Sequence, residues 1–182
     1  DVKLPASLRE EAEVFRIQLG TRRPVWIAAS THEGEDEFVL SAHAEVARSL
    51  TGSLLVLVPR HPERATRIAS LCRRYGMKTV LRSEGEPCDD TTDVYIGDTL
   101  GELGLFYAAS DTAFVGGSLV PVGGHNMLEP AALGLPVITG PHTFNFEEIT
   151  AMLLDTGGAR MVEGPQQLAA TALVETRQFD AF

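Results

Sequence analysis

Arg60 stands at the end of an unbroken apolar run in "SLLVLVPRHPER", residues 53–64, where a buried strand hands over to a helix. A guanidinium at that place has bidentate geometry for a phosphate. Pro59 and Pro62 stiffen the turn, and His61 there packs, caps or binds, its position favouring no single role. A second group lies in "VGGSLVPVGGHNMLEP", residues 115–130. Asn126 falls where a helix N-cap is expected, and Glu129 follows one turn later. A carboxylate facing two adjacent hydroxyls is a common way to hold a ribose. Free N–H groups at a helix start favour an anion. Together these residues have the chemistry to grip the sugar and phosphate of a nucleotide. Glu129 alone would equally serve as a stabilising carboxylate in a first helical turn, worth up to ~1 kcal/mol. The glycines beside it tip the reading toward the nucleotide, because they let backbone approach a ligand closely. Gly117 and Ser118 in that run are candidate donor contacts.

Two further loops carry weaker signals. "ASTHEGEDE", residues 29–37, lacks G-x-G-x-x-G, and the chain has no G-x-x-x-x-G-K-[ST], so NAD and P-loop ATP are both poorly supported. Ser30 and Thr31 offer hydroxyls that cap a helix or hold a phosphate oxygen. His32 and Glu33 are a weak acid–base pair, since adjacent residues rarely face each other. In "GDTLGEL", residues 97–103, Thr99 and Glu102 have capping-box spacing for a helix starting there. Gly101 in that first turn is costly unless something comes close to it, such as a ligand's base.

These loops need strands to hold them. Short runs at 24–30, 53–59, 78–82, 93–97, 112–117, 136–140 and 159–162 alternate with segments of helical spacing. Buried strands alternating with helices imply an α/β fold: a Rossmann-like, doubly wound parallel sheet with helices on both faces. Ligands bind such sheets outside the carboxyl ends of the strands. That rule selects loops 30–36, 59–62, 97–102 and 116–126, and each stretch singled out above falls in or beside one of them.

The bulk numbers fit one globular domain of 182 residues with net charge −10, a charge that argues against nucleic acid as a partner. Against it, residues 59–75 carry Arg60, Arg64, Arg67, Arg73 and Arg74, a basic island suited to a small anion or to a solvated helix face. No run of eighteen apolar residues exists to span a membrane, and the first residues lack the order of a signal peptide. Cys72 and Cys88 have no metal-binding context, so a reduced, cytoplasmic setting without metal or cofactor is expected. Residues 1–23 read as an interdomain linker and leading helix, and 24–182 as the nucleotide-binding domain.

"WIAASTHEGEDE", "VPRHPER" and "GDTLGELGLFYAASDTAFVGGSLVPVGGHNMLEPAALGLPVITGPHTFNF" together resemble the carboxyl-terminal half of 3-deoxy-D-manno-octulosonic acid (Kdo) transferases, from about residue 22 to about 170. The resemblance implies one domain of a GT-B glycosyltransferase that moves Kdo from CMP-Kdo to the lipid A precursor in lipopolysaccharide biosynthesis, at the cytoplasmic face of the inner membrane. It implies that Pro59 and Arg60 meet the nucleotide. Leu100, Gly101 and Glu102 would line its pocket, and Asn126, Met127, Leu128 and Glu129 would hold ribose and phosphate. The family often has Pro after the Asn, where this chain has Met127. The family's catalytic Glu and acceptor site lie in an amino-terminal domain that these residues do not include. The chain is therefore expected to bind CMP or CMP-Kdo and to be inactive alone. The alternatives are the donor domain of a UDP-sugar GT-B transferase or epimerase, and a stand-alone nucleotide-binding module.

Overall fold

A computed structural model describes residues 4–179. Seven strands form one all-parallel sheet in the order β3-β4-β2-β1-β5-β6-β7. They are β1 Val25–Thr31, β2 Leu54–Pro59, β3 Thr79–Leu81, β4 Val94–Ile96, β5 Thr112–Val115, β6 Val137–Thr139 and β7 Ala159–Met161. The helices are α1 Ala6–Leu19, α2 Asp36–Ser49, α3 Ala65–Arg74, α4 Leu103–Ala108, α5 Leu128–Ala132, α6 Glu147–Thr156 and α7 Pro165–Phe179. After β1 the chain builds outward to β3 and β4, then returns to lay β5 against the free side of β1. The strand order reverses there, and a crevice opens at the carboxyl ends.

The period of two along each strand sorts the core into two faces. Trp26, Ala28, Leu55, Leu57 and Phe114 pack with residues of α2, α3 and α7. Val25, Ile27, Ala29, Leu54, Val56 and Val58 pack with α1 and α4. Both central strands are buried throughout, which is why they read as unbroken apolar runs rather than alternating ones. The leading helix buries Ala12, Phe15 and Leu19 in the second face, and Arg16 pins it by a forked pair of bonds to Asp111 at 3.0 and 3.1 Å.

One buried polar bridge crosses the first face. Trp26 Nε1–H donates to His43 Nδ1 at 3.0 Å, which leaves His43 Nε2–H to donate to the Asp93 carbonyl at 2.9 Å. Burial holds His43 neutral, its pKa lowered to about 4. An imidazole easier to protonate when unfolded contributes stability that is full above its unfolded pKa, near 6.5, and is lost as the pH falls toward 4. From neutrality to about pH 5, His43 should cost on the order of 2 kcal/mol. Urea melts at the two pH values should show that difference, and His43→Asn should flatten it.

The sequence predicts a helix starting at Thr99, but α4 starts at Leu103. Gly101 sits in the left-handed region at φ +78°, where a helix cannot run, and a Cβ there would meet nothing within 4 Å. Its positive φ is what a turn at this point requires of the residue. Asn126 is likewise one position early: the N-cap of α5 is Met127, while Asn126 Oδ1 accepts from Leu128 N–H at 2.9 Å. With five residues, α5 also contributes only a small dipole.

Candidate functional site

The loops after β1, β2 and β5 meet over the switch point between β1 and β5, and the loop after β4 leaves the same carboxyl edge of the sheet toward β3. β1 ends in a bulge, where its register with β2 slips between Ala29 and Thr31. Ser30 lies there at φ 57°, in the left-handed region, at a cost of roughly 1–2 kcal/mol for a residue with a Cβ. The kink lets the Thr31 carbonyl accept from Arg60 N–H at 3.0 Å, joining the first two loops. Thr31 itself is buried and its hydroxyl donates to Asp36 at 3.0 Å. Asp36 also pairs with Arg64, and burial raises its pKa despite that guanidinium.

The glycine-rich loop is held by a residue that the sequence does not single out. Glu35 is fully buried. Its Oε2 accepts from the N–H groups of His32 and Gly117, both at 2.8 Å, and its Oε1 from those of Ser118 and Leu119, both at 3.0 Å. One carboxylate thus satisfies four backbone donors from two loops. The His32–Glu35 spacing of a capping box is the only local hint of it. Gly117 and Ser118, read as candidate donor contacts, are buried and engaged through their amides with Glu35.

Three imidazoles close the same junction. His32 and His125 lie in parallel planes with Nε2 atoms 2.7 Å apart, and the His61 ring stands edge-on to His32 at 5.7 Å. Burial lowers the pKa of His32, and it takes His125 to about 4, with His32, Arg60 and His61 adding to the effect. Beside them Arg60 is exposed and in no ion pair among the described residues, whereas Arg64 and Arg67 are bound to Asp36 and Glu33. Two of the five arginines of the basic island are therefore locally paired, and Arg60, at the sheet's carboxyl edge, is left with an uncommitted guanidinium.

On the other side, Glu102 is gripped by Arg82 at 2.9 and 2.8 Å and accepts from the Thr99 hydroxyl at 2.6 Å. The hydrogen bonds from Arg82 lower the pKa of Glu102. The two fix the loop after β4 so that Leu100 projects, 82 % exposed. Glu129 meets this loop's helix: its Oε1 lies 3.3 Å from where a Cβ on Gly104 would be. Met127 is buried with Val115 and Val137, anchoring the end of the glycine-rich loop, while Asn126, Leu128 and Glu129 remain exposed. The structure thus brings Arg60, His61, Leu100–Glu102 and Asn126–Glu129 to one edge of the sheet. It turns Thr31 inward.

The arrangement is that of a ligand-binding doubly wound domain. No protein-family model matches the chain. It is 48 % identical over 159 residues to the 3-deoxy-D-manno-octulosonic acid transferase of Haemophilus influenzae, covering 86 % of this chain and 37 % of that protein. The Bordetella pertussis transferase is 44 % identical over 144 residues, covering 76 % of this chain and 33 % of that protein. The chain therefore spans about a third of the length of these relatives. The crystal structure of the C-terminal CMP-Kdo binding domain of WaaA from Acinetobacter baumannii superposes with a TM-score of 0.90 at 35 % identity, over 97 % of this chain and 93 % of that one. An Escherichia coli ADP-heptose heptosyltransferase, 13 % identical with a TM-score of 0.55 over 98 % of this chain and 54 % of that one, shares the fold. The chain belongs to the Kdo transferase family and corresponds to the carboxyl-terminal, Rossmann-like domain of its GT-B architecture.

Proposed function

We propose that this domain binds the CMP moiety of CMP-Kdo for a transferase that delivers Kdo to the lipid A precursor. The observation that carries the reading is the convergence of an unpaired guanidinium, an exposed apolar turn and an exposed carboxylate on one sheet edge. Arg60 would take the phosphate, the base would lie on the Leu100–Gly101 turn, and Glu129 with Asn126 would hold the ribose. Because Arg82 and Thr99 already occupy the Glu102 carboxylate, that residue would serve the base pocket chiefly through backbone and position.

Transfer itself needs a base to deprotonate the acceptor hydroxyl, which the family resemblance places in an amino-terminal domain. As CMP departs, Arg60 would stabilise charge on its phosphate. Acceptor binding and attachment to the inner membrane would belong to the rest of the polypeptide; no helix among the described residues is long and apolar enough to cross a membrane.

Calorimetric titration with CMP, UMP and UDP tests the reading. CMP should bind well ahead of the uridine nucleotides; the reverse order would move the domain to a UDP-sugar enzyme. Arg60→Ala should weaken CMP binding by about 1.5–3 kcal/mol, the scale of a hydrogen bond to a charged group. Unchanged affinity would remove Arg60 from the site.

A further inference from the structure

The His32–His125 contact lies beside Arg60, the group read above as taking the phosphate. With Nε2 atoms 2.7 Å apart, one ring must donate and the other accept. A neutral pair carries one proton between the facing nitrogens. A second proton can enter at Nδ1 of the donating ring, giving an imidazolium–imidazole pair with the shared bond intact. A third would point two N–H groups at each other and break the contact. The pair therefore has room for a single added positive charge.

Its surroundings decide when that charge is taken. From the loop after β1 the pair meets Glu35, itself saturated by amides, with Glu33 and Asp36 already paired to arginines. From the loop after β2 it meets Arg60, His61 and Arg64. The glycine-rich loop, residues 116–126, holds no titratable side chain but His125 itself. The closest uncommitted charge is thus the cation Arg60, which disfavours protonation of an already part-buried pair. An anion on Arg60 reverses that field.

Resting on the nucleotide-binding reading above, we propose that the His32–His125 pair takes up one proton from solvent when a cytidine phosphodiester binds, and returns it when the nucleotide leaves. The added charge faces the phosphoryl group across Arg60, so recognition of the donor is proton-coupled. No bond to phosphorus is made or broken in this step.

The probe is the methyl ester of CMP, a phosphodiester with no group that titrates near neutrality. Titrated into the chain in buffers of different ionisation enthalpy, it should give apparent enthalpies whose slope reports net proton uptake. Its affinity should be up to roughly thirtyfold tighter at about pH 6 than at about pH 7.5, the limit for one proton taken up across that range. His125→Gln and His32→Gln should each abolish most of both effects, and His61→Gln should keep most of them. Binding with no proton uptake, or uptake unchanged in both glutamine variants, would overturn the proposal and leave the nucleotide site standing. Absence of any binding by the unaltered chain would overturn the nucleotide reading and this proposal with it. Should either variant fail to fold, the slope of the unaltered chain and of His61→Gln still decides.

Discussion

Glu35→Ala should destabilise the domain by about 3–5 kcal/mol, the scale of breaking a buried charged network from one side. Four backbone N–H groups lose their acceptor at once, and three of them belong to the glycine-rich loop. Each buried donor left bare costs ~1–3 kcal/mol before water or relaxation recovers part of it. For a domain of this size the melting temperature should fall by roughly 6–20 °C. Glu35→Gln should fall less far, since one amide oxygen still accepts while its NH2 is turned against other donors. The second readout is local: amide hydrogen exchange at Gly117, Ser118 and Leu119 should accelerate well beyond the change in the central strands. A loss under ~1 kcal/mol for Glu35→Ala would mean that the loop keeps its shape without this acceptor.

That residue also marks where the sequence stops being legible. The seven strands read correctly because burial on both faces writes itself as short, continuous apolar runs, and β1 and β2 are buried at every position. Arg60 was legible for the same reason: a charge that ends such a run must leave the sheet at its carboxyl edge. Glu35 was hidden because its four partners are backbone amides, three of them more than 80 residues away. In a run of Glu and Asp only the three-residue spacing from His32 hints at which carboxylate turns inward. The pairing of His32 with His125, 93 residues apart, was invisible on the same grounds. The start of α4 was misplaced because Thr99 and Glu102 do bond, but side chain to side chain and in company with Arg82, in a turn rather than a helix.

Gly140→Ala should cost about 3 kcal/mol, at the upper end for overpacking, and should disturb the candidate site from the opposite side of the sheet edge. Gly140 follows β6, and a Cβ there would stand 2.2 Å from the Ser118 carbonyl oxygen, 2.4 Å from its carbon and 2.7 Å from Leu119 N. The obstruction is backbone, not the tip of a flexible side chain, so the methyl can fit only if residues 118–119 move. Those residues cannot move freely. Ser118 Oγ accepts from Gly140 N–H at 2.8 Å, the Ser118 carbonyl accepts from His142 N–H at 2.9 Å, and both amides are bound to Glu35. A shift of a few tenths of an ångström therefore strains several hydrogen bonds together. Gly134→Ala supplies the contrast: its φ of +79° strains a side chain, yet a Cβ meets nothing within 4 Å, so its cost should stay near ~1–2 kcal/mol with no effect at the loop. Thermal melts should rank Gly140→Ala below Gly134→Ala, and only the former should expose the amides of Ser118 and Leu119 to exchange. If the nucleotide lies on this edge, only Gly140→Ala should also weaken CMP. Equal losses from the two variants would show that the loop after β5 is not held against β6, and that Glu35 alone sets the shape of the site.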